Sequence, residues 1–276
     1  MDLIDLTDFP DYYKKYSWNK KHKLFGYPED KYPTFEWISS LEHRFSWLCS
    51  NYNKENTASK YLIQEMIEWG GSQNGVLQKF NDESGEANLY ELICKVVENI
   101  DDAENAINSA LEIPGFGLTY SSKLLRFMKP EKYGALDSRL REALIENIGK
   151  INDGKNKSMV VGYLKFLKLL EDFRNELKNS GVKKPECQLS KSQDWNAAQI
   201  EMALFCWAEQ SNVLKRKRKS EENPTKKQTK MDRARIVYQK MKTKNCGRQD
   251  IIKSFISEVG MSNGQASTYY QKIKNE

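Results

Sequence analysis

The chain has 276 residues, 39% of them hydrophobic, enough for one main domain with a sizeable core and a smaller module. Five scattered cysteines and two histidines, His22 and His43, give no basis for a disulfide framework, an iron–sulfur or zinc site or a Ser-His-Asp mechanism, so no metal and no cofactor is expected. The net charge of +6 is uneven: residues 215–276 carry 17 Lys and Arg against 6 Asp and Glu, or +11, which leaves −5 for residues 1–214.

A basic tail on a mildly acidic body points to an anionic partner, nucleic acid first, with a solvated linker as the alternative. No apolar run approaches the roughly 18 residues of a membrane helix. The start, MDLIDLTDFPDYYKKY, is acidic and aromatic rather than a basic, apolar export signal. A cytoplasmic, nucleoid-associated monomer without a membrane partner is expected.

Helical spacing dominates the chain from its N-terminal end. Amphipathic stretches are predicted over 34–50 and 57–69. The polar run Gly70-Gly71-Ser72-Gln73-Asn74 then interrupts the pattern. Leu89, Leu92, Ile93, Val96, Val97 and Ile100 form one apolar stripe, and Tyr163, Phe166, Leu167, Leu170, Phe173 and Leu177 form another. Further helices are expected over 103–112, 118–129, 138–148 and 196–210. No run of alternating strands intervenes, so the body, residues 1–211, reads as an all-α bundle.

Residues 212–230 include LKRKRKSEENPTKKQTK, which lacks apolar periodicity and reads as a disordered basic linker. Residues 231–276 hold three short amphipathic segments. Gly260 is placed to end the second and Ser262 to cap the third. The layout is that of a small three-helix, helix-turn-helix-like module whose last helix presents Gln265, Thr268, Gln271 and Lys272 as candidate DNA contacts. A helical interaction module is the other reading.

Between the helices at 103–112 and 118–129 stands Ile113-Pro114-Gly115-Phe116-Gly117. Glycine makes such a turn without a Cβ clash and leaves backbone N–H groups bare beside a helix start, an arrangement that suits a phosphate. Gly115, Phe116, Gly117, Thr119 and Lys123 are therefore candidate DNA-phosphate contacts, with Phe116 expected to pack inward. Farther on, Ala135-Leu136-Asp137 places one carboxylate just before the helix that starts at Ser138. By itself Asp137 reads as an N-cap or as a functional acid, and the two are compatible.

The pairing of IPGFG with ALD, at the interval from Thr119 to Asp137, resembles the helix-hairpin-helix DNA glycosylase superfamily. It is closest to the 8-oxoguanine glycosylase-like branch that lacks an iron–sulfur cluster. The close match runs from Ala103 to Ala143, and the compatible helical pattern from 34 to 210. The resemblance implies an all-α helix-hairpin-helix glycosylase bundle acting on double-stranded DNA, with Asp137 as catalytic residue. A carboxylate near C1′ would stabilise the cationic sugar as the N-glycosidic bond breaks.

Many bifunctional members carry a lysine where this chain has Thr119, so a monofunctional enzyme that leaves an abasic site is expected, with Lys123 the possible alternative nucleophile. A glycosylase flips its target base between aromatic walls and plugs the gap. Trp37, Trp47, Trp69 and Tyr120 are candidate walls, and Gln73 or Asn74 the candidate wedge. The substrate stays open between an oxidised or alkylated base, as in DNA repair, and a hypermodified phage base, as in antiviral defence. A non-catalytic DNA-binding regulator on the same fold is the alternative.

Overall fold

The computed structural model describes residues 4–16, 36–52, 56–185, 192–222, 229–243 and 246–275. The chain divides into two compact units, Met1–Val213 and Leu214–Glu276. Among the described residues every regular element is helical and no strand occurs, so the chain is all-α.

The first unit holds α1 (Phe9–Lys14), α2 (Glu36–Asn51), α3 (Asn56–Trp69), α4 (Val76–Glu83), α5 (Glu86–Glu98), α6 (Ala103–Leu111), α7 (Leu118–Met128), α8 (Ser138–Ala143), α9 (Ile145–Ile148) and α10 (Asn156–Asn179). α11 (Ala197–Glu222) begins in the first unit and runs into the second. The helix at its centre is α7, which packs against α2, α3, α6 and α10. Leu118 and every residue from Tyr120 to Met128 are consequently buried, four polar side chains among them.

A buried polar group needs a partner, and most of these find one. Arg126 Nη1 lies 2.7 Å from Glu42 Oε1 on α2. Ser122 Oγ donates to the Thr119 carbonyl at 3.0 Å and accepts from the Leu136 N–H at 2.9 Å. Around them the core is aromatic. Phe127 stacks on Phe45 at 5.7 Å and receives the edge of Trp69 at 4.9 Å.

The stripe ending at Ile100 becomes α5 and the stripe from Tyr163 becomes α10, whose Tyr163, Phe166, Leu170, Phe173 and Leu177 are all buried. At about 1.5–3 kcal/mol for each large apolar side chain removed from water, that face is what holds α10 to the bundle. The predicted helix over 138–148 is broken in two. Leu144 leaves helical geometry at φ −100°, ψ 14°, and α9 follows as a separate turn. α1 was not foreseen: it is short, and Phe9 and Tyr13 hold it by meeting Trp195 at 5.7 and 5.5 Å.

The stretch 212–230, read from the sequence as a disordered linker, starts instead as helix, since α11 continues to Glu222. Leu, Lys, Arg and Glu are good helix formers, and no Gly or Pro intervenes before Pro224. Residues 223–228 lie outside the described residues.

The second unit builds its own small core from α12 (Lys230–Thr243), α13 (Arg248–Val259) and α14 (Asn263–Lys274). Val237 and Tyr238 of α12, Ile251 and Phe255 of α13, and Ala266, Tyr270 and Ile273 of α14 are among its buried members. Gly260 ends α13 in left-handed geometry at φ 71°. Ser262 then closes a capping box with Gln265 at the start of α14. Gln265, Thr268, Gln271 and Lys272 share the exposed side of α14.

Candidate functional site

Ile113 to Gly117 turns the chain between α6 and α7, and its two glycines do different work. Gly115 sits at φ 81°, and a Cβ there would stand 3.0 Å from the Val76 carbonyl oxygen, so both its angle and its surroundings require glycine. Gly117 is extended, at φ −112°, with open space where a Cβ would lie. Of the two, only Gly115 takes the left-handed geometry that favours glycine. Gly117 is the N-cap of α7 and has no side chain to cap it, so the positive end of that helix takes no cap hydrogen bond from this residue. Phe116, 9% exposed, packs inward between Phe80 and Tyr120 at 6.1 and 5.9 Å.

Beside the hairpin lies a cleft of about 390 Å³. It is lined by Gly117, Thr119, Tyr120 and Lys123 of the α7 end, by Gly70 and Asn74 of the loop after α3, and by Asp137 and its neighbours on α8. The sequence-predicted hairpin, lysine and carboxylate thus share one cavity. Asp137 is half-buried; its Oδ1 accepts the Leu140 N–H at 2.9 Å, capping α8, and its second carboxylate oxygen makes no hydrogen bond among the described residues.

Lys123 is not a solvated lysine. It is 8% exposed, and its ammonium donates to the Gly70 carbonyl at 3.3 Å while standing 5.1 Å from the Tyr120 ring and 5.4 Å from the Trp69 ring. Two aromatic faces and one carbonyl hold a fixed positive charge at the cleft wall. A side chain on Gly70 would disturb this arrangement: a Cβ on it would fall 2.8 Å from Tyr120 Cε1 and 2.9 Å from Lys123 Nζ.

The loop that follows concentrates unusual backbone. Gly71, Ser72, Asn74 and Gly75 all take positive φ, at 94°, 42°, 57° and 70°. For the two residues with side chains this is a strained conformation, of the sort that persists where surroundings impose it. Asn74 lines the cleft and is exposed; the side chain of Gln73 lies outside the described residues.

The aromatic candidates part company. Tyr120 is at the cleft. Trp69 is buried behind Lys123, whose ammonium stands over its ring. Trp47 is 50% exposed on α2 and does not line the cleft, because α2 turns Leu41, Phe45 and Leu48 inward instead. The side chain of Trp37 lies outside the described residues, as do His22 and Cys187.

Sequence reasoning passed over three residues that the fold brings in. Arg139 and Arg141 line the cleft, the first paired with Glu209 at 3.2 Å and stacked on Phe205 at 4.4 Å, the second paired with Asp153. Glu201 of α11 is buried nearby, and its carboxyl is pushed up to about 8 by loss of water, with the charge of Asp137 adding to the effect and Arg126 and Lys123 opposing it. Among the described residues no group of three or more His, Cys, Asp or Glu is placed to hold a metal ion. None of their helices is long and apolar enough to cross a membrane. Comparison of the chain with known protein families, with curated proteins and with solved structures gives no match.

Proposed function

We propose that this chain is a monofunctional DNA glycosylase of the helix-hairpin-helix kind, whose target base leaves the duplex stack and is released when Asp137 stabilises the cationic sugar. The observation that carries the reading is the shared cleft: a bare helix start at Gly117, a fixed ammonium on Lys123 and the carboxylate of Asp137 line one cavity. A bare helix start and an ammonium suit a phosphate or another anionic group. A carboxylate beside them suits a sugar that develops positive charge, and it can orient the attacking water. Asn74, on its strained loop, is the proposed wedge, and Tyr120 a proposed wall of the base pocket. The three-helix unit is proposed to add DNA affinity through the exposed side of α14, in the manner of a helix-turn-helix.

Thr119 occupies the position at which a lyase would carry its amine, so the product should be an intact abasic site. The decisive experiment incubates the full chain with duplexes carrying oxidised, alkylated and hypermodified bases and identifies released bases by mass spectrometry. Hot alkali should then be needed to break the strand, and borohydride should trap no adduct. Release of no base from any duplex overturns the reading. The Asp137 cap gives that residue a structural task as well, which favours as second reading a non-catalytic DNA-binding protein on this fold. That reading expects DNA binding without any released base.

A further inference from the structure

The four residues that lead into the cleft, 134 to 137, are each met by a different helix. The Tyr163 hydroxyl of α10 donates to the Gly134 carbonyl at 3.0 Å. The Leu136 N–H donates to Ser122 Oγ of α7 at 2.9 Å, and Asp137 caps α8. The backbone N–H of the fourth, Ala135, lies beside the carboxyl group of Glu201 on α11. Glu201 is 3% exposed, and a Cβ on Gly134 would stand 2.9 Å from the Glu201 Cβ, so the segment lies directly against this side chain.

The groups that face Glu201 come from several elements: Lys123 and Arg126 of α7, Asp137 before α8, the hydroxyls of Tyr16 and Tyr163, and Cys206 on its own helix. Below about pH 8 the carboxyl keeps its proton. In that form its carbonyl oxygen stays beside the Ala135 N–H, and it adds no second negative charge beside Asp137.

We propose that Glu201 is a positioning residue for Asp137: its buried carboxyl group fixes the backbone two residues upstream, so that the Asp137 carboxylate meets the cleft in one orientation. The proposal rests on the reading of Asp137 as the carboxylate that faces the sugar. Ionisation of Glu201 would set a buried negative charge against Asp137, draw on the Lys123 and Arg126 charges, and degrade that arrangement.

The test compares the full-length wild type with E201A and E201Q. Amide hydrogen exchange reads the segment without any substrate. In E201A the Leu136 and Leu140 amides should exchange faster than in wild type, and E201Q, which keeps an acceptor for Ala135, should restore their protection. Base release by E201A should lose on the order of a hundredfold in kcat with KM little changed, the cost expected when a reacting group is misplaced. E201Q should match wild type at pH 7 and lack the loss of activity expected of wild type above pH 8.

Since the folded carboxyl holds its proton until about pH 8 while the unfolded one loses it near 4.5, the stability it contributes is complete below 4.5 and gone above 8. E201Q should therefore melt progressively higher than wild type across that window, a readout that decides the matter if E201A does not fold. Unchanged exchange at Leu136 and Leu140 in folded E201A, or parallel melting profiles for wild type and E201Q, overturns the proposal. If exchange and melting respond as expected while wild type releases no base, the glycosylase reading falls and the fixing of 134–137 by Glu201 stands.

Discussion

Asp137 has a structural and a proposed chemical task, and a single substitution separates them. Asparagine is as good an N-cap as aspartate, so Asp137→Asn should keep the bond from the Leu140 N–H and the melting temperature of the wild type. It should nonetheless lose base release by about a hundredfold or more, the scale of a preorganised contact of about 3 kcal/mol. Asp137→Ala removes the cap as well and should cost about 1 kcal/mol of stability besides. Activity of the Asn variant equal to wild type, measured as released base, would sink the catalytic assignment. Gly70→Ala tests the opposite wall. Its methyl group must displace the Tyr120 ring or the Lys123 ammonium, each within 3 Å. The expected result is a folded protein whose DNA affinity and base release both fall, checked by titration and turnover against the same duplex.

At the scale of elements, the two glycines of the hairpin should respond differently to the same change. Gly115→Ala forces a left-handed φ on alanine and drives its Cβ toward the Val76 carbonyl, so it should destabilise the chain by roughly 1–3 kcal/mol. Gly117→Ala meets neither obstacle and should fold normally, yet weaken DNA binding if the bare start of α7 receives a phosphate. Thermal melting and filter binding of the two variants check the pair; similar losses of stability in both would show that the hairpin was misread.

The hairpin, the stripes of α5 and α10, and the caps at Asp137 and Ser262 were legible in the sequence because each is a local pattern, complete within one or two turns. Glu201 was not. Within Ala-Gln-Ile-Glu-Met-Ala it reads as one more polar residue on an amphipathic helix, and only the packing of α11 against Gly134 and Ala135 gives it a role. Arg139 and Arg141 were hidden for the same reason: their partners, Glu209 and Asp153, lie on other elements. Trp47 shows the converse error, since aromatic character alone does not say which face of α2 turns outward.

At the scale of the whole molecule the charge divides as the fold does, +11 on residues 215–276 and −5 on the rest. If DNA is the partner, the acidic body meets that polyanion through local fields alone. Those fields are partly spent, because Arg139 and Arg141 already pair with carboxylates at the cleft. The second unit carries the net positive charge, with its own core and an exposed row on α14. A chain ending at Val213 should therefore bind DNA more weakly and with a shallower dependence of log K on log salt, since fewer counterions are released. It should still release its base when enzyme is in excess, because Asp137, Lys123 and the hairpin all belong to the first unit. Within the full chain, Gln265→Ala with Gln271→Ala leaves the charge untouched. If α14 enters the major groove, that pair should erode preference among DNA sequences while the salt slope stays as it was. Binding and salt slope unchanged by the truncation would assign the second unit to a protein partner, and the charge asymmetry would then say nothing about DNA.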